Sequence, residues 1–389
     1  MLNHVLPLSV VVPVYNVALY LRQCLDSILV QTRPVQEIIC VDDGSTDDSG
    51  KILDEYARNH ERVRVIHKEN AGLVSARKAG IAIVETPYTT YVDSDDWIDA
   101  NMYEELMEIA VREDADVVTS GETTEFGQGK QTVRVDSAAS GLYTGEKLEK
   151  LLSKIFSTEQ VGEFTFGLSA CMKIYRTELL RKFQMQTDDR ITLGEDFSVT
   201  WPLLLHTNRV YETGKAFYHY RWRMDSMTKS KRYGEEAFEY LLAYLRRQLS
   251  PMASRVPNIM AQYHMYEAAL WLGTGNMDRF FVQRGEDIIP FGRIPKASRI
   301  LLYGAGKFGS KVRKWLDQHA YHVVMQVDRQ SDGVKVFPPS SISKSSYDIL
   351  LIGVIKLELI DEIEQTLQQI GVPLQKIRKY DPKYFADRN

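Results

Sequence analysis

Short apolar runs alternate with helix-periodic segments over residues 8–120, and this alternation constrains the fold more than any other feature of the sequence. The predicted strands are Leu8–Val12, Glu37–Val41, Val63–His67, Thr89–Val92 and Asp116–Ser120. Between them, apolar residues recur at the spacing of one helix face, as in Leu21, Leu25 and Ile28. Strands that alternate with helices in this way predict parallel βαβ units, with helices covering both faces of the sheet.

The pattern changes after residue 120, and 389 residues are too many for one typical core. Residues 121–145 are predicted as loop or hairpin, 147–183 as helical with an interruption, and 234–284 as mostly helical. The stretch Pro290–Pro295 marks a boundary, after which a fresh strand–turn–helix pattern begins. The predicted domains are an α/β domain over 1–225, a helical connecting region over 226–293, and a small α/β domain over 294–389.

Charge and composition exclude several classes of protein. The net charge of −4 gives no overall basic field for nucleic acid. The three cysteines, Cys24, Cys40 and Cys171, have neither metal-ligand spacing nor the pattern of a disulfide framework, which favours a reducing compartment. The sequence has no signal-peptide pattern at its start and no apolar run of about 18 residues. We therefore expect a cytoplasmic protein, with peripheral contact at the inner face of the membrane left open.

Polar loops follow three of the predicted strands: PVYN after the first, DDGSTD after the second and DSDD after the fourth. In parallel sheets such loops meet at the carboxyl edge, where ligands bind. Asp93 and Asp95 are two apart in an extended segment and project to the same side. Carboxylates gathered at one edge are tolerated when a cation lies between them. Mg²⁺ or Mn²⁺, completed by phosphate oxygens, fits such a pair, so the sequence favours a nucleoside diphosphate ligand.

These motifs resemble the inverting family-2 glycosyltransferases of the GT-A fold, over roughly the first 225 residues. The matching pieces, in the order and spacing of the family, are SVVVPVYN, EIICVDDGSTDDS, NAGLVSARKAG, YVDSDDWI and GEDFSV. The fold class that follows is α/β: a GT-A mixed sheet with flanking helices, a helical middle segment, and a small Rossmann-like α/β domain at the C-terminal end.

The resemblance implies a role for each matching residue at the nucleotide-sugar site. Pro13 and Tyr15 would lie under the base, and Asp43 would accept a hydrogen bond from the base ring, which favours UDP. Arg77 would reach the nucleotide and diphosphate. Asp95 would be the direct metal ligand and Asp93 would lie nearer the ribose. The residues expected to bind the nucleotide-sugar are Pro13, Tyr15, Asn16, Asp43, Arg77, Asp93, Ser94 and Asp95.

The GED motif would supply catalysis. Asp196 is the expected general base, and Glu195 would orient it or contact the acceptor. Tyrosine is common in the family where His219 stands, so His219 is a third metal ligand, an acceptor contact or a packed core residue. The resemblance implies inverting transfer of a hexose-type sugar to a hydroxyl of a glycan, lipid-linked or protein-linked acceptor, with Mn²⁺ or Mg²⁺ as cofactor. A homo-oligomer stays open.

Structural alternatives exist for several of these motifs. DDGSTD alone is typical of a turn followed by a helix N-cap, and Asp42 fits that role. Thr192, three residues before Glu195, fits a capping box. Asp96 is either a neighbour of the metal or a cap for the next helix. Arg77 in isolation would be a solvated helix charge.

The C-terminal domain carries Gly304, Gly306 and Gly309 in a GxGxxG pattern between a predicted strand and helix, with Asp328 at the end of the next strand. This context is that of a dinucleotide fingerprint, but the glycines also suit a tight turn and close helix packing. We favour a scaffold, assembly or acceptor-presenting role. The rival hypotheses are an NAD(P)-dependent oxidoreductase or epimerase centred on these glycines, and a non-catalytic sugar-nucleotide-binding protein. The presence of Asp196 in addition to Asp93 and Asp95 argues against a non-catalytic binding protein, because binding alone needs no base.

Overall fold

The computed structural model describes residues 5–223 and 233–386. Backbone contacts divide the chain into two compact units. Unit 1 comprises Met1–Ile155 and Thr165–Pro257, and unit 2 comprises Phe156–Phe164 and Asn258–Asn389. The sequence predicted three domains, with boundaries at residues 226 and 294. Those boundaries describe parts that fold independently, which a division by backbone contacts does not test, so they stay a prediction.

Unit 1 is built on one mixed sheet of ten strands, in the order β3-β2-β1-β4-β9-β6-β10-β5, with β7 beside β6 and β8 beside β10. Its strands are β1 (Leu6–Val14), β2 (Val35–Asp42), β3 (Val63–His67), β4 (Tyr88–Tyr91), β5 (Trp97–Ile98), β6 (Val117–Glu125), β7 (Gln131–Arg134), β8 (Gly141–Tyr143), β9 (Lys173–Arg176) and β10 (Val210–Arg221). Strands β1 to β4 run parallel, which confirms the βαβ prediction.

Strand β9 departs from the prediction, which made 147–183 helical apart from one interruption. It runs antiparallel between β4 and β6 and makes the sheet mixed. Four residues are too few to show a strand period, so only its two neighbours reveal it. Strand β6 continues to Glu125 and pairs with β7, so the hairpin predicted as one alternative for 121–145 is present.

The helices of unit 1 cover the sheet with apolar faces. They are α1 (Ala18–Leu29), α2 (Ser49–Asn59), α3 (Leu73–Ala82), α4 (Met102–Arg112), α5 (Gly145–Leu152), α6 (Thr177–Gln186), α7 (Glu195–Leu204) and α8 (Glu235–Leu249). In α3 the buried face includes Val74, Arg77 and Gly80. A Cβ at Gly80 would overlap the side chain of Val11 on β1, so glycine lets α3 lie close to the sheet and carries Arg77 inward.

Unit 2 contains a parallel four-stranded sheet in the order β15-β14-β16-β17 and a small antiparallel sheet of β11, β12 and β13. Its strands are β11 (Val282–Arg284), β12 (Asp287–Ile289), β13 (Gly292–Arg293), β14 (Arg299–Tyr303), β15 (His322–Val327), β16 (Ile349–Ile352) and β17 (Ile377–Lys379). Its helices are α9 (Ile259–Thr274), α10 (Met277–Phe280), α11 (Lys307–Gln318), α12 (Leu357–Gln369) and α13 (Lys383–Ala386). The predicted α/β class therefore holds for both units. Within the described residues, no helix combines the length and apolarity needed to cross a bilayer.

Candidate active site

A cavity of about 500 Å³ opens in unit 1 at the carboxyl ends of β1, β2 and β4. It is where the three polar loops were expected to meet. Of the predicted site residues, those that line it are Pro13, Tyr15, Asp43, Asp93, Ser94, Asp95, Glu195 and Asp196. Arg77, Asn16 and His219 are not among its lining residues. The cavity thus gathers motifs that lie up to 183 positions apart, from Pro13 to Asp196.

Asp43 lies at one end of the cavity, beside Pro13 and the half-exposed Tyr15. Its side chain is 3% exposed and accepts backbone N–H bonds from Ala71 and Gly72, the latter at 2.7 Å. Lys68 Nζ pairs with Asp43 Oδ1 at 2.5 Å. Gly72 precedes α3 with a φ of 90°, a conformation that favours glycine and turns its N–H towards the carboxylate. Asp43 is therefore held rigidly at the wall of the cavity.

Asn16 and Asp42 brace the two loops rather than line the cavity. Asn16 has a φ of 52°, and its Oδ1 accepts the backbone N–H of Thr46 at 2.8 Å. Its own N–H donates to the Ser45 hydroxyl at 3.1 Å. Asp42 Oδ1 accepts the backbone N–H of Ser45 at 2.9 Å, which is the turn role that the sequence suggested for it. Asn16 therefore holds the 45–47 loop, which follows Asp43 in the chain.

Asp93 and Asp95 lie on the cavity wall, and each contacts an arginine. Arg77 Nη2 contacts Asp93 Oδ1 at 3.1 Å, and Arg223 Nη2 contacts Asp95 Oδ2 at 2.8 Å. Burial raises the pKa of Asp93, an effect that Arg77 opposes and the nearby Asp196 and Asp95 carboxylates reinforce. The two carboxylates thus lie on one crowded wall of the cavity, where each is paired with an arginine.

Asp96 connects the loop that carries Asp93 and Asp95 to strand β10. It is 1% exposed, accepts the Tyr218 hydroxyl at 2.8 Å and accepts the backbone N–H of Arg221 at 2.7 Å. The Tyr218 hydroxyl in turn accepts the backbone N–H of Asp93 at 3.1 Å. Burial, with Asp95 and Asp93 nearby, raises the pKa of Asp96 well above the ordinary carboxyl value. Asp96 thus joins the loop to β10, and it also lines the cavity beside Asp95.

Arg77 is buried between two carboxylates of the cavity wall, with 1% of its surface exposed. Besides Asp93, it contacts Asp196, with Nη1 2.5 Å from Oδ1. Its guanidinium lies 5.1 Å from the centre of the Tyr91 ring. The interpretation of Arg77 as a solvated helix charge is therefore wrong. Its guanidinium does not line the cavity but connects Asp93 and Asp196, which do.

Glu195 and Asp196 open helix α7. The residue before them, Gly194, has a φ of 66° and is the N-cap, so the alternative capping box from Thr192 is wrong. Acidic side chains in the first turn face the positive end of the helix dipole. Burial raises the pKa of Glu195 to about 7, and the charge of Asp196 adds to the rise.

His219 does not line the cavity, and both of its ring nitrogens contact other carboxylates. Its ring stacks on Trp97 with 5.0 Å between centroids, and Nδ1 and Nε2 lie 3.0 Å and 3.1 Å from carboxylate oxygens of Glu125 and Asp99. The packed role that the sequence left open therefore describes His219 best. Across residues 5–223 and 233–386, no group of three or more His, Cys, Asp or Glu side chains is arranged to hold a metal. Two carboxylates remain, and their oxygen donors suit Mg²⁺ or Mn²⁺ completed by phosphate and water.

Several lining residues were missed from the sequence. They are Asn70, Gly72, Glu122, Ser169, Cys171, Asp189, Ile191, Tyr220 and Arg223. Asn70 and Gly72 belong to the NAGL motif, and Tyr220 and Arg223 belong to FYHYRWR. These four could have been predicted by including every polar residue or glycine of each motif. Glu122, Ser169 and Cys171 lie around the non-consecutive strands β6 and β9, and no local pattern marks them.

The glycine-rich loop of unit 2 is explained largely by packing. A Cβ at Gly309 would overlap the carbonyl oxygen of Gly304, and Gly304 itself has a φ of 114°. Asp328 Oδ2 accepts the backbone N–H of Ala305 at 2.6 Å, so this side chain braces the turn. A Cβ at Gly306 would meet no atom within 4 Å. Two of the three glycines are thus required by the fold itself.

Mixed sheet, flanking helices and the loop cavity together define the class of GT-A glycosyltransferase folds. The family described as glycosyl transferase family 2 matches residues 9–183, and the chain belongs to this family. A second family, described as C2185-like, N-terminal, matches residues 296–378.

Two relatives agree with this assignment, and one solved structure shares the fold. The chain is similar to glycosyltransferase GlyA of Streptococcus pneumoniae, at 35% identity over 57% of this chain and 31% of GlyA. Glycosyltransferase GlyG of the same organism is 33% identical over 58% of this chain and 73% of GlyG. The crystal structure of S. aureus TarS 1–349 in complex with UDP-GlcNAc has a similar fold, with a TM-score of 0.50, 18% identity, and coverage of 75% of this chain and 97% of the TarS 1–349 chain. The chain spans less than two thirds of GlyA.

Proposed function

We propose that the chain transfers a hexose-type sugar from a nucleoside-diphosphate sugar, with UDP as the nucleotide, to a hydroxyl of a glycan, lipid-linked or protein-linked acceptor. The observation that carries this proposal is the convergence of Asp93, Asp95 and Asp196 on one cavity. A pair of carboxylates that binds a cation can hold a diphosphate through that cation. A separate carboxylate beside the pair can accept the proton that an attacking hydroxyl must lose. Family membership supports the same chemistry.

The nucleotide end of the site would be formed by Pro13, Tyr15 and Asp43. The half-exposed Tyr15 ring offers a face for the base, and the fixed carboxylate of Asp43 offers an acceptor for a base N–H. Ser94, between the two metal-binding positions, would contact the donor, while Asn16 would act through the loop that it braces. A uracil ring carries the N–H that Asp43 would accept.

Asp95, with Asp93 beside it, would hold Mn²⁺ or Mg²⁺. Bound there, the metal supplies positive charge next to the departing diphosphate. Asp196 would take the proton from the attacking hydroxyl, a contribution of about 10²–10⁴ in rate. Arg77 orients the Asp196 carboxylate through Oδ1, and Glu195 borders the same space. Attack opposite the leaving group inverts the anomeric centre, through a transition state with oxocarbenium character.

Unit 2 would serve as a scaffold, an assembly surface or a support for the acceptor. Its glycine-rich loop has packing reasons for Gly304 and Gly309, and its Asp328 is bonded to the loop rather than open to a ribose. These contacts weigh against a dinucleotide enzyme centred on unit 2. Spectra of the purified protein test this rival, because a bound nicotinamide cofactor absorbs in the near ultraviolet.

Thermal shift with UDP and Mn²⁺ tests the proposal. A ligand that binds only the folded state raises the melting temperature by mass action. Asp95→Ala should abolish the part of the shift that needs metal, whereas the exposed control Asp54→Asn should keep it. An equal shift in EDTA would remove Asp93 and Asp95 from their assigned role. Release of radiolabelled sugar from the donor then separates an enzyme from a binding protein.

A further inference from the structure

The carboxylate assigned to the metal already pairs with a cation of the chain itself. Arg223 Nη2 lies 2.8 Å from Asp95 Oδ2, and the side chains are 16% and 21% exposed. The Arg223 guanidinium lies 4.7 Å from the centre of the Tyr20 ring. In the free protein the guanidinium thus has both an aromatic ring and a carboxylate as partners.

The neighbouring arginines differ from Arg223 in what they contact. Arg77 pairs with Asp93 and Asp196. Arg221 donates from Nε to the main-chain oxygen of Asp95 at 2.8 Å and from Nη2 to Gln23. Among these three arginines, Arg223 forms the ion pair with the Asp95 carboxylate and is the one that lines the cavity. A divalent cation at Asp95 would therefore meet the positive charge of Arg223 at close range.

We propose that Arg223 and the metal exchange places on Asp95 as the donor binds, an inference that rests on the proposed function. In the free protein Arg223 neutralises Asp95 and opposes metal binding. When metal and nucleotide arrive together, the guanidinium leaves Asp95 for the diphosphate, whose oxygens match its planar fork. Both groups line the same cavity, so the guanidinium has open space beside Asp95 into which it can move. The site would thus discourage metal alone and favour metal with nucleotide.

Two binding constants of the full chain measure this exchange. The first is the Kd of Mn²⁺ without nucleotide, measured from free Mn²⁺ by electron paramagnetic resonance. The second is the Kd of UDP at saturating Mn²⁺, measured by calorimetry. In Arg223→Gln, Mn²⁺ alone should bind more tightly and UDP should bind more weakly, each by at least about fivefold, the lower end of ordinary coupling between sites. In Arg223→Gln, the factor by which UDP increases the affinity for Mn²⁺ should therefore be smaller than in the wild type.

Two further variants sharpen the result. Arg22→Gln removes the same charge from an exposed pair with Glu55 and should leave both constants within about twofold. Arg223→Lys keeps a charge without the fork, so Mn²⁺ affinity should stay near that of the wild type while UDP binds more weakly. Near-ultraviolet circular dichroism checks that each variant is folded.

The outcomes separate the two proposals. If Arg223→Gln weakens UDP without tightening Mn²⁺, Arg223 is a nucleotide ligand only, and the exchange is wrong. If the variant matches Arg22→Gln in both constants, Arg223 has neither role. If the wild-type protein itself shows no Mn²⁺-dependent UDP binding, the proposed function fails before the exchange is reached.

Discussion

Arg77 donates from Nη1 to Oδ1 of Asp196 over 2.5 Å, although 119 residues separate the two in the sequence. The same guanidinium contacts Asp93 at 3.1 Å, so one buried cation joins the start of α7 to the loop after β4. Removing a buried partner leaves charges that nothing compensates. One buried side chain therefore links the expected base to the loop that carries Asp93 and Asp95.

The first prediction concerns stability. Arg77→Met should lower the free energy of unfolding by about 3 kcal/mol, because Asp93 and Asp196 would keep their charges without the buried partner. Arg22→Met removes an exposed ion pair, which solvent screens, and should lower the free energy of unfolding far less. Urea denaturation followed by circular dichroism measures both. Equal small losses would mean that solvent in the cavity already compensates the two carboxylates.

The second prediction separates binding from chemistry. Asp196→Asn keeps the shape of the side chain but cannot take a proton, so transfer should fall by about 10²–10⁴. UDP affinity in the presence of Mn²⁺ should stay within a few-fold of the wild type. Transfer rates and calorimetry give the two numbers, with Asp54→Asn as the control. Near-normal transfer would move the base to another residue, with Glu195 tested next.

The third prediction concerns pH. Burial raises the pKa of Glu195 from its ordinary 4.5 to about 7, so the folded state binds more protons than the unfolded state between those values. This residue therefore contributes a stability that falls as pH rises from about 4.5 to about 7. Glu195→Gln should remove that fall and melt above the wild type at pH 8, with little difference at pH 4. Glu61→Gln, an exposed control, should follow the wild type throughout. Parallel melting curves for wild type and Glu195→Gln would contradict the assignment.

The fourth prediction distinguishes the glycines of unit 2. Gly309→Ala should destabilise the protein by about 1–3 kcal/mol, because the new methyl group overlaps the Gly304 carbonyl. Gly306→Ala meets no atom within 4 Å and should change the melting temperature little. Gly306→Val then tests nucleotide binding, since a side chain there blocks close approach of a pyrophosphate. Loss of a nicotinamide absorbance with Gly306→Val would support the dinucleotide hypothesis.

The fifth prediction concerns the division of the chain. Every residue lining the cavity belongs to unit 1, so a chain ending at Pro257 should bind UDP with Mn²⁺ as the full chain does. A chain ending at residue 293 instead cuts through the aromatic core of unit 2, where Phe281 lies 4.9 Å from Trp315. It should aggregate, because that core becomes exposed. Light scattering and calorimetry compare the two, and a folded 1–257 chain that cannot bind UDP would show that the site needs unit 2.

Local sequence determined the parts of the molecule whose signals lie within a few residues of each other. The strands β1 to β4 follow from apolar runs, and the loops after β1, β2 and β4 follow from polar residues at the ends of those runs. Parallel strands then bring these loops to one edge, so the positions of Asp43, Asp93 and Asp95 could be predicted before any contact was known. The family motifs added Glu195 and Asp196 to the same cavity.

Tertiary structure alone decided which partner each of these groups meets. The four-residue β9 becomes a strand because β4 and β6 leave a place between them, and His219 faces Asp99 and Glu125 because β10 pairs with β5 and β6. Arg77 contacts Asp196, and Arg223 contacts Asp95, across 119 and 128 positions of the chain. The physical reason is that hydrophobic periodicity and turn-forming residues specify local secondary structure, over only a few neighbouring residues. Ion pairs depend instead on the order of strands in the sheet, which no short stretch of sequence contains.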